Sequence, residues 1–435
     1  MPWYKQLHWQ IIIGLVLGLL FGIAAAANGW GQFTSDWIAP FGDIFMALLR
    51  LIAMPLVIAS LITGVASLSD LRKLSRIGGK TIGIYLATTL VALVIGLVLV
   101  NVFEPGSSVP PAMRVQLQET YADAATTGQA AAAAQTENKS PLQPLVDMVP
   151  DNIIFAASNN RKMLQVVFFA IFAGIALIML PKKKARPLLK FFRSVNDMVI
   201  KMVNIIMLMA PIGVFALLAD VITSIAQDDL SQVLNLISAL GFYSAIVIGG
   251  LMLHMILTYT TLLHFLTPLK LKDFAKAMLP VQLLAFSTSS SGATLPVTME
   301  VAERDIGVSE EISSFVLPMG ATINMDGTAL YQAVAAVFIA QTIGMDLDIG
   351  AQLTIVFTAM LASIGTAAVP GAGVIMLIII LESVGVPSAG IALILGVDRI
   401  LDMLRTVTNV TGDATVATII AASENQLIPG LPHRN

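Results

Sequence analysis

The sequence predicts an all-α integral membrane protein. Of its 435 residues, 57% are hydrophobic and only 12% are charged, whereas a soluble domain carries roughly 25% charged residues. The mean hydropathy is +0.85, and apolar runs that could cross a hydrocarbon layer of ~30 Å recur along the chain. With so few charges, most helix surfaces must face lipid or one another. These observations exclude a soluble globular fold.

Cysteine content and net charge exclude further classes of function. The chain contains no cysteine, so thiolate metal centres, Fe–S clusters and a cysteine nucleophile are excluded. Its formal net charge of -3 provides no basic field for nucleic acid. The polar cluster described below pairs no nucleophile with a base, so we do not expect an enzyme.

Six long apolar runs come first and predict spanning helices. They cover residues 11–27, 44–69, 81–103, 163–180, 198–222 and 233–265. Lys and Arg concentrate after the second, fourth and sixth runs, whereas the other connections, including the Ala- and Thr-rich stretch 104–150, hold few or none. The positive-inside rule therefore predicts cytoplasmic termini and an external loop at 104–150. We expect the protein in a cytoplasmic (inner) membrane. We expect the first run to be a retained helix rather than a cleaved signal peptide, since no cleavage site follows it.

Two later segments predict re-entrant hairpins. Residues 270–305 and 347–385 each have two apolar arms of ~10 to 14 residues, too short to cross the membrane alone. Their tips are rich in Ser, Thr, Gly and Pro, which membrane depth tolerates only around a watery or liganded cavity. Each hairpin precedes a segment with polar residues in its middle, 306–343 and 388–424. The first unit starts on the cytoplasmic side and the second on the external side, an inverted repeat typical of secondary transporters.

The last of these segments carries one polar stripe on an otherwise apolar helix. At 100° per residue, one face of this helix carries the side chains of Asp398, Asp402, Arg405, Thr406, Asn409 and Asp413. Arg405 could bind a carboxylate through two hydrogen bonds and Asp402 could accept an ammonium group, which together suit an acidic amino acid. Thr406 and Asn409 add neutral hydrogen-bonding groups. The alternative is that the charges only pair with one another and hold the bundle together.

A pocket for a hard cation is predicted in the segment 306–343. Pro318, Gly320 and Gly327 favour an unwound stretch there, and unwinding frees carbonyl oxygens beside Asn324 and Asp326. The buried charges also favour cations. Asp326, Asp398, Asp402 and Asp413 sum to -4 and Arg399 with Arg405 to +2, which leaves -2 before an acidic substrate binds. Bound Na⁺, or protons on the carboxylates, would compensate this excess.

Two other polar groups have simpler interpretations on spacing alone. Tyr85, Thr88 and Thr89 lie on one face of the third span, where hydroxyls more often bond to carbonyls of their own helix than to a ligand. His254 and His264 lie near one end of the sixth span without an evident carboxylate partner. For both histidines we favour interfacial packing over proton relay.

Five motifs follow one another along the chain. They are MPLVIASLITGVASL in the second span, STSSSGATLPVT in the first hairpin, NMDGT at 324–328, SIGTAAVPGAG in the second hairpin and DRILDMLRTVTNVTGD in the last helix. In this order they resemble the glutamate transporter family, that is, bacterial and archaeal dicarboxylate or amino acid:cation symporters and the animal excitatory amino acid transporters. The resemblance extends from about residue 9 to residue 424.

The resemblance implies a homotrimer in the lipid bilayer that works by an elevator mechanism. Each protomer would have eight transmembrane helices and two re-entrant hairpins, with spans 1, 2, 4 and 5 as scaffold and the rest as a moving transport part. The second hairpin would be the external gate. The expected boundaries are 1–103 for spans 1 to 3, 104–150 for the external loop, 151–265 for spans 4 to 6, 270–305 for hairpin 1, 306–343 for span 7, 347–385 for hairpin 2 and 388–424 for span 8.

The resemblance also implies the binding residues. Substrate contacts would fall on Ser291, Thr328, Val369, Gly373, Asp402, Arg405, Thr406 and Asn409. One Na⁺ site would use Gly320, Asn324, Asn409 and Asp413; a second Thr322, Ser363, Ile364 and Thr366; and a third Tyr85, Thr88, Thr89, Asn324 and Asp326. The family match thus favours a ligand role for the hydroxyl trio of the third span.

Substrate and ion are implied by the same positions. Neutral amino acid exchangers of the family lack the match to Arg405 and C4-dicarboxylate carriers lack the match to Asp402, so an acidic amino acid, aspartate or glutamate, is expected. Proton-coupled relatives tend to have an amide at Asp413 and no serine at Ser363, so Na⁺ coupling is expected. The nearest alternative is proton-coupled glutamate, aspartate or dicarboxylate symport. An ion channel, which the hairpins alone would permit, would pass current without an amino acid.

One feature departs from the family. Archaeal relatives place an arginine in the first hairpin tip, where this chain has Ser289, and animal relatives place it after the substrate aspartate, where this chain has Met403. The resemblance therefore assigns no arginine partner to Asp398 and implies nothing about potassium counter-transport.

Overall fold

The protein is described here by a computed structural model that covers residues 7–67, 75–109, 149–158, 162–225, 231–366, 368 and 370–428. Throughout these residues the chain is helical or irregular, apart from one isolated antiparallel bridge between Val308 and Leu427. The all-α class predicted from the sequence is confirmed. Most of the predicted external loop 104–150 lies outside the described residues.

The first six apolar runs form helices. These are α1 (Leu7–Ala27), α2 (Ala39–Ser67), α3 (Ser75–Phe103), α4 (Met163–Met179), α5 (Lys182–Leu208), α6 (Ala210–Ile225) and α7 (Ser231–Leu253), which continues through a π-helical turn at His254–Tyr259 to Thr260–Leu266. Among the described residues five helices are long and apolar enough to cross a membrane, or six if a bent pair counts as one span. The molecule is therefore an integral membrane protein.

The bent pair is the predicted fifth span. Residues 198–222 were expected to form one helix, but α5 ends at Leu208 and α6 begins at Ala210, with a bend of 53° between them. Pro211 has no N–H to donate to the carbonyl four residues earlier, which accounts for the break. The Lys-rich connection after the fourth run is itself helical, because α5 already begins at Lys182.

The two predicted hairpins are helix–turn–helix units. The first pairs α8 (Leu271–Thr288) with α9 (Ser291–Val301), and the second pairs α12 (Ile349–Gly365) with α13 (Ala372–Ser383). Their second arms have 11 and 12 residues, as predicted, but their first arms have 18 and 17. The prediction of ~10 to 14 residues was wrong for the first arms. In α8, good helix formers such as Lys276 and Ala277 extend the helix beyond the apolar run. In α12, Asp348 caps the helix by accepting from the Ala351 backbone N–H, so that it begins at Ile349.

The hairpin tips meet each other. Ser289 adopts a left-handed conformation with φ 50°, and Ser290 caps α9 by accepting a hydrogen bond from the Ala293 backbone N–H. The Ser290 hydroxyl also donates to the carbonyl of Ala368 in the second tip at 2.6 Å. Gly371, with φ 79°, precedes α13 in the conformation that glycine adopts without steric cost.

The unwound stretch predicted in 306–343 is confirmed. Helix α10 (Glu310–Ile323) stops before Asn324, and helix α11 (Asp326–Thr342) restarts two residues later. Nearly all of α11 is buried. Helix α14 (Ile391–Ser423), which carries the polar stripe, packs against α11, α8 and α10, so the stripe lies inside the bundle beside the break.

An ion-pair cluster ties the last turn of α14 to the start of α3. Glu424 lies 2.5 Å from Lys80 Nζ and 3.1 Å from Arg76 Nη2. The hydrogen bond from Lys80 lowers the pKa of Glu424 below its usual value of 4.5. A group with a lowered pKa stabilises the fold above the unfolded-state pKa, and this contribution is lost as the pH falls through the folded-state value.

We therefore expect Glu424→Gln to lower the melting temperature slightly at pH 7, because exposed ion pairs contribute little. The difference from the wild type should shrink as the pH falls below 4.5. Thermal unfolding of the purified protein at pH 7 and pH 4 measures this difference in melting temperature. Glu300→Gln, which removes the i,i+4 pair with Arg304, is the matched control. A difference that grows in acid would contradict the assignment.

Candidate substrate and cation site

The polar stripe of α14 forms a buried charge cluster of two arginines and two aspartates. Arg405 Nη1 donates to Asp398 Oδ1 at 2.8 Å, and Arg405 Nη2 donates to Asp402 Oδ1 at 2.7 Å. Arg399 Nη1 lies 3.5 Å from the other oxygen of Asp402. Asp398, for which the family pattern offered no arginine partner, is therefore paired with Arg405. The four charges sum to zero.

Helical spacing brings these groups together. Asp402 precedes Arg405 by three residues and Asp398 precedes it by seven, so all three project from one face of α14. The Arg405 side chain is only 1% exposed, and its guanidinium carbon stacks 3.8 Å from the ring centre of Tyr331 in α11. Among the described residues no hydrogen-bond partner reaches Arg405 Nε. In this conformation the charges of the stripe thus pair with one another, which is the alternative stated above. The pairing nevertheless leaves Arg405 Nε, a buried donor, available to an anion.

Groups of the broken helix and the second hairpin surround this cluster. The Thr328 hydroxyl accepts from Asn409 Nδ2 at 3.2 Å, and Asn409 Oδ1 accepts from the Gly327 backbone N–H at 2.8 Å. A β-carbon built on Gly373 would lie 3.1 Å from Thr328 and 3.6 Å from the Arg405 guanidinium. Glycine at position 373 thus lets α13 approach both groups closely, where a side chain would be crowded against Thr328.

For Thr406 and Ser291, two of the remaining predicted substrate contacts, the structure shows no hydrogen bond to the charge cluster's side chains among the described residues. The Thr406 hydroxyl donates to the carbonyl of Asp402 at 2.9 Å, one turn back in its own helix. Ser291 is buried at the start of α9, next to the contact between the two tips. Val369 lies outside the described residues. The structure therefore brings Thr328, Gly373, Asp402, Arg405 and Asn409 together.

The first predicted cation set surrounds Asp413. Asn324 Nδ2 donates to Asp413 Oδ1 at 2.9 Å, and both side chains are almost wholly buried. Among the described residues no donor reaches Asn324 Oδ1, so a buried carbonyl-type oxygen remains free for a cation. A β-carbon on Gly320 would lie 2.5 Å from both Asp413 Oδ1 and the Tyr85 hydroxyl. These oxygens are ligands that hard cations prefer.

The third predicted set surrounds Asp326, which is fully buried. The Thr89 hydroxyl donates to Asp326 Oδ1 at 2.6 Å. The Tyr85 hydroxyl donates to the Val316 carbonyl at 3.0 Å, and the Thr88 hydroxyl to the Tyr85 carbonyl at 3.1 Å. Only Thr89 of the hydroxyl trio contacts a carboxylate directly, whereas Thr88 bonds back to its own helix, as the simpler interpretation expected.

The second predicted set links the break to the second hairpin. The Ser363 hydroxyl donates to the Ile323 carbonyl at 3.1 Å and accepts from the Met325 backbone N–H at 3.2 Å. Thr366 donates to the carbonyl of Ala362 in its own helix. Ile364 packs against the apolar core. Thr322 is exposed and donates to the Met319 carbonyl at 2.9 Å. In this conformation, Ser363 alone of these side chains contacts the backbone freed at the break.

His254 is a site residue that sequence reasoning misassigned. Interfacial packing was expected, yet its side chain is fully buried and Nε2 lies 3.3 Å from Asp326 Oδ2. Its Nδ1 lies 3.1 Å from the Thr258 hydroxyl, so both ring nitrogens have a polar partner. Tyr259, which the sequence analysis did not single out, donates to the same carboxylate oxygen at 2.8 Å.

The π-helical turn at His254–Tyr259 explains this error. An α-helix would place residues 254 and 259 about 140° apart, whereas an i→i+5 turn brings them to one face. The carboxylate partner comes from α11, 72 residues further along the chain. No local spacing in the sequence signals either feature.

A bundle of apolar helices that encloses broken helices and a buried set of ionised side chains defines a membrane transport protein. Comparison with known proteins names the family. The model of the "Sodium:dicarboxylate symporter family" matches residues 7–423. This chain belongs to that family.

Individual relatives cover nearly the whole chain. The "Proton/sodium-glutamate symport protein" of Geobacillus stearothermophilus is 36% identical over 425 residues, 97% of this chain and 95% of the relative. The "Proton/glutamate-aspartate symporter" of Escherichia coli (strain K12) is 36% identical over 430 residues, 97% and 93% of the two chains. "Excitatory amino acid transporter 3" of Mus musculus is 34% identical over 462 residues, 94% and 84%.

Proposed function

We propose that this protein is a symporter that moves aspartate or glutamate across the cytoplasmic membrane together with Na⁺. The observation that carries the proposal is the buried Arg405 guanidinium, held between Asp398 and Asp402 where Gly373 approaches it closely. A side-chain carboxylate of the substrate would bind Arg405, and its ammonium would bind Asp402. The side-chain carboxylate and the ammonium of an acidic amino acid then each have a partner of opposite charge. The relatives named for glutamate or aspartate symport support this assignment.

Sodium is the proposed coupling ion because of the charge balance around the break. Asp326 and Asp413 are buried, and the groups that contact them are hydroxyls, an amide and His254. Adding a substrate of charge -1 to this region without cations would cost several kcal/mol. The free oxygen of Asn324 and the retained Ser363 support Na⁺ over H⁺. Proton coupling is the second candidate, since relatives are named for both ions.

The proposed architecture follows the family pattern. Eight spans and two re-entrant hairpins would be assembled as a homotrimer in the inner membrane, with both termini cytoplasmic. The scaffold would contain α1, α2, α4, α5 and α6, and the transport part would contain α3, α7, both hairpins, the broken helix and α14. We propose for the spans, the external loop and the hairpins the residue ranges given in the sequence analysis. The contact between Ser290 and Ala368 supports a closed arrangement of the two tips, and elevator movement of the transport part would carry the substrate across.

Uptake of labelled L-aspartate into proteoliposomes tests this function. Sodium and proton gradients are imposed separately at equal membrane potential. We expect concentrative uptake with the sodium gradient alone. Uptake that follows only the proton gradient would replace Na⁺ by H⁺, and uptake of neither aspartate nor glutamate under any gradient would refute the proposal.

The environment of Asp326 leads to a further prediction. In Tyr259→Phe this carboxylate loses a hydrogen bond of 2.8 Å, and bonds to charged groups contribute about 1.5–3 kcal/mol. We expect the sodium concentration for half-maximal binding to rise roughly tenfold. Tyr243→Phe serves as the control. It also removes a buried hydroxyl, from a tyrosine whose ring stacks on Phe338. Equal sodium affinity in the two variants would contradict a role for Tyr259.

A further inference from the structure

Arg399 is a second buried arginine beside the proposed substrate site. Its side chain is 9% exposed, and among the described residues no hydrogen-bond partner reaches its Nε. It lines a small pocket of about 30 Å³ together with Asp398 and Asp402, and most of the other lining residues are apolar, among them Ile11 and Phe45. A buried guanidinium with an unpaired donor is energetically costly.

Arg399 competes for the carboxylate that would bind an ammonium group. Asp402 Oδ1 already accepts from Arg405, while Asp402 Oδ2 lies 3.5 Å from Arg399 Nη1 and accepts from the Gly371 backbone N–H at 3.3 Å. An incoming ammonium must approach the same carboxylate. It would then share a poorly hydrated pocket with a guanidinium of like charge, and the two cations repel each other.

Neutralising Asp402 does not by itself require Arg399. Arg405 alone pairs with Asp402 at the shorter distance of 2.7 Å. Arg405, however, is also the group that would turn to the substrate carboxylate. While Arg405 binds a substrate, an ammonium or Arg399 would be the group next to Asp402 that compensates its charge.

We propose that Arg399 is a specificity-determining residue that takes the place of a substrate ammonium at Asp402. This inference rests on the proposed function. Arg399 lowers the affinity for amino acids by competing with their ammonium, and it allows the site to bind dicarboxylates that have no ammonium. Selectivity between aspartate and its amino-free counterpart, succinate, is therefore set by the charge at position 399.

Competition against labelled L-aspartate at saturating sodium tests the proposal, with unlabelled L-aspartate and succinate as competitors. We expect succinate to compete in the wild type at millimolar concentrations. In Arg399→Met the aspartate affinity should rise and the succinate affinity should fall, each on the order of tenfold. Arg399→Lys keeps the charge and should restore a ratio near that of the wild type. Arg304→Met removes an exposed arginine paired with Glu300 and should match the wild type.

A purely structural role would weaken both ligands together, so opposite shifts support the proposal and any other pattern overturns it. Arg399→Gln provides a second neutral variant if Arg399→Met does not fold. Failure of succinate to compete in the wild type would also overturn the proposal. A wild type without aspartate uptake would refute the proposed function as well, whereas normal uptake with unchanged selectivity in the neutral variants would refute this inference alone.

Discussion

Arg405→Ala is expected to abolish binding of acidic amino acids. The substitution removes the group proposed to bind the side-chain carboxylate and leaves Asp398 and Asp402 buried without their shortest ion pairs. Truncating one partner of a buried, hydrogen-bonded charge pair costs about 2–5 kcal/mol of binding free energy, so the affinity for aspartate should fall by roughly one and a half to three and a half orders of magnitude. Isothermal titration of the purified variant with L-aspartate measures the loss.

Serine provides the matched ligand control for this variant. It has the same α-carboxylate and ammonium but no second carboxylate for Arg405 to bind, so we expect Arg405→Ala to bind serine. Arg405→Lys keeps the charge without the planar fork and should recover only part of the aspartate affinity. Unchanged aspartate affinity in Arg405→Ala would refute the role of this guanidinium.

Asp413→Asn is expected to weaken the dependence of transport on sodium. The amide keeps the shape of the side chain but removes a buried negative charge that lies 2.9 Å from Asn324 and, across Gly320, close to the Tyr85 hydroxyl. A hard cation loses its charged ligand there. The sodium concentration for half-maximal aspartate uptake should rise at least about tenfold.

Asp273→Asn is the matched control, because Asp273 is an exposed residue in the first turn of α8, outside the proposed ion sites. Its sodium dependence should equal that of the wild type. If Asp413→Asn showed the same sodium dependence as Asp273→Asn, the first cation set would be wrong. A shift in the dependence on external pH instead would favour proton coupling.

The polar stripe was predictable because it depends on the spacing within one helix. Asp402 and Arg405 share a face of any regular helix that contains both, and α14 runs without a break through Ile391–Ser423. The break at Asn324 was predictable for a similar local reason, since it falls between Gly320 and Gly327, which weaken a continuous helix, although Pro318 itself lies inside α10. That the stripe lies beside the unwound backbone, however, depends on the packing of α14 against α10 and α11.

The remaining parts of the site depend on long-range packing, which the spacing of residues does not reveal. His254 meets Asp326 only because α7 packs beside the restart of the broken helix, and Tyr259 joins them only through a π-helical turn. The stacking of Arg405 on Tyr331 likewise joins two helices. Thr322 has the predicted residue type but is exposed, because hydroxyls at the end of a helix readily bond to their own backbone.

The most direct test of the central claim is the binding of L-aspartate to the purified protein at increasing sodium concentration, with choline replacing sodium so that ionic strength stays constant. If the buried carboxylates need bound cations before the substrate can enter, the affinity for aspartate must increase steeply with sodium. Binding curves that superimpose at all sodium concentrations would contradict the claim that cations must bind before the substrate.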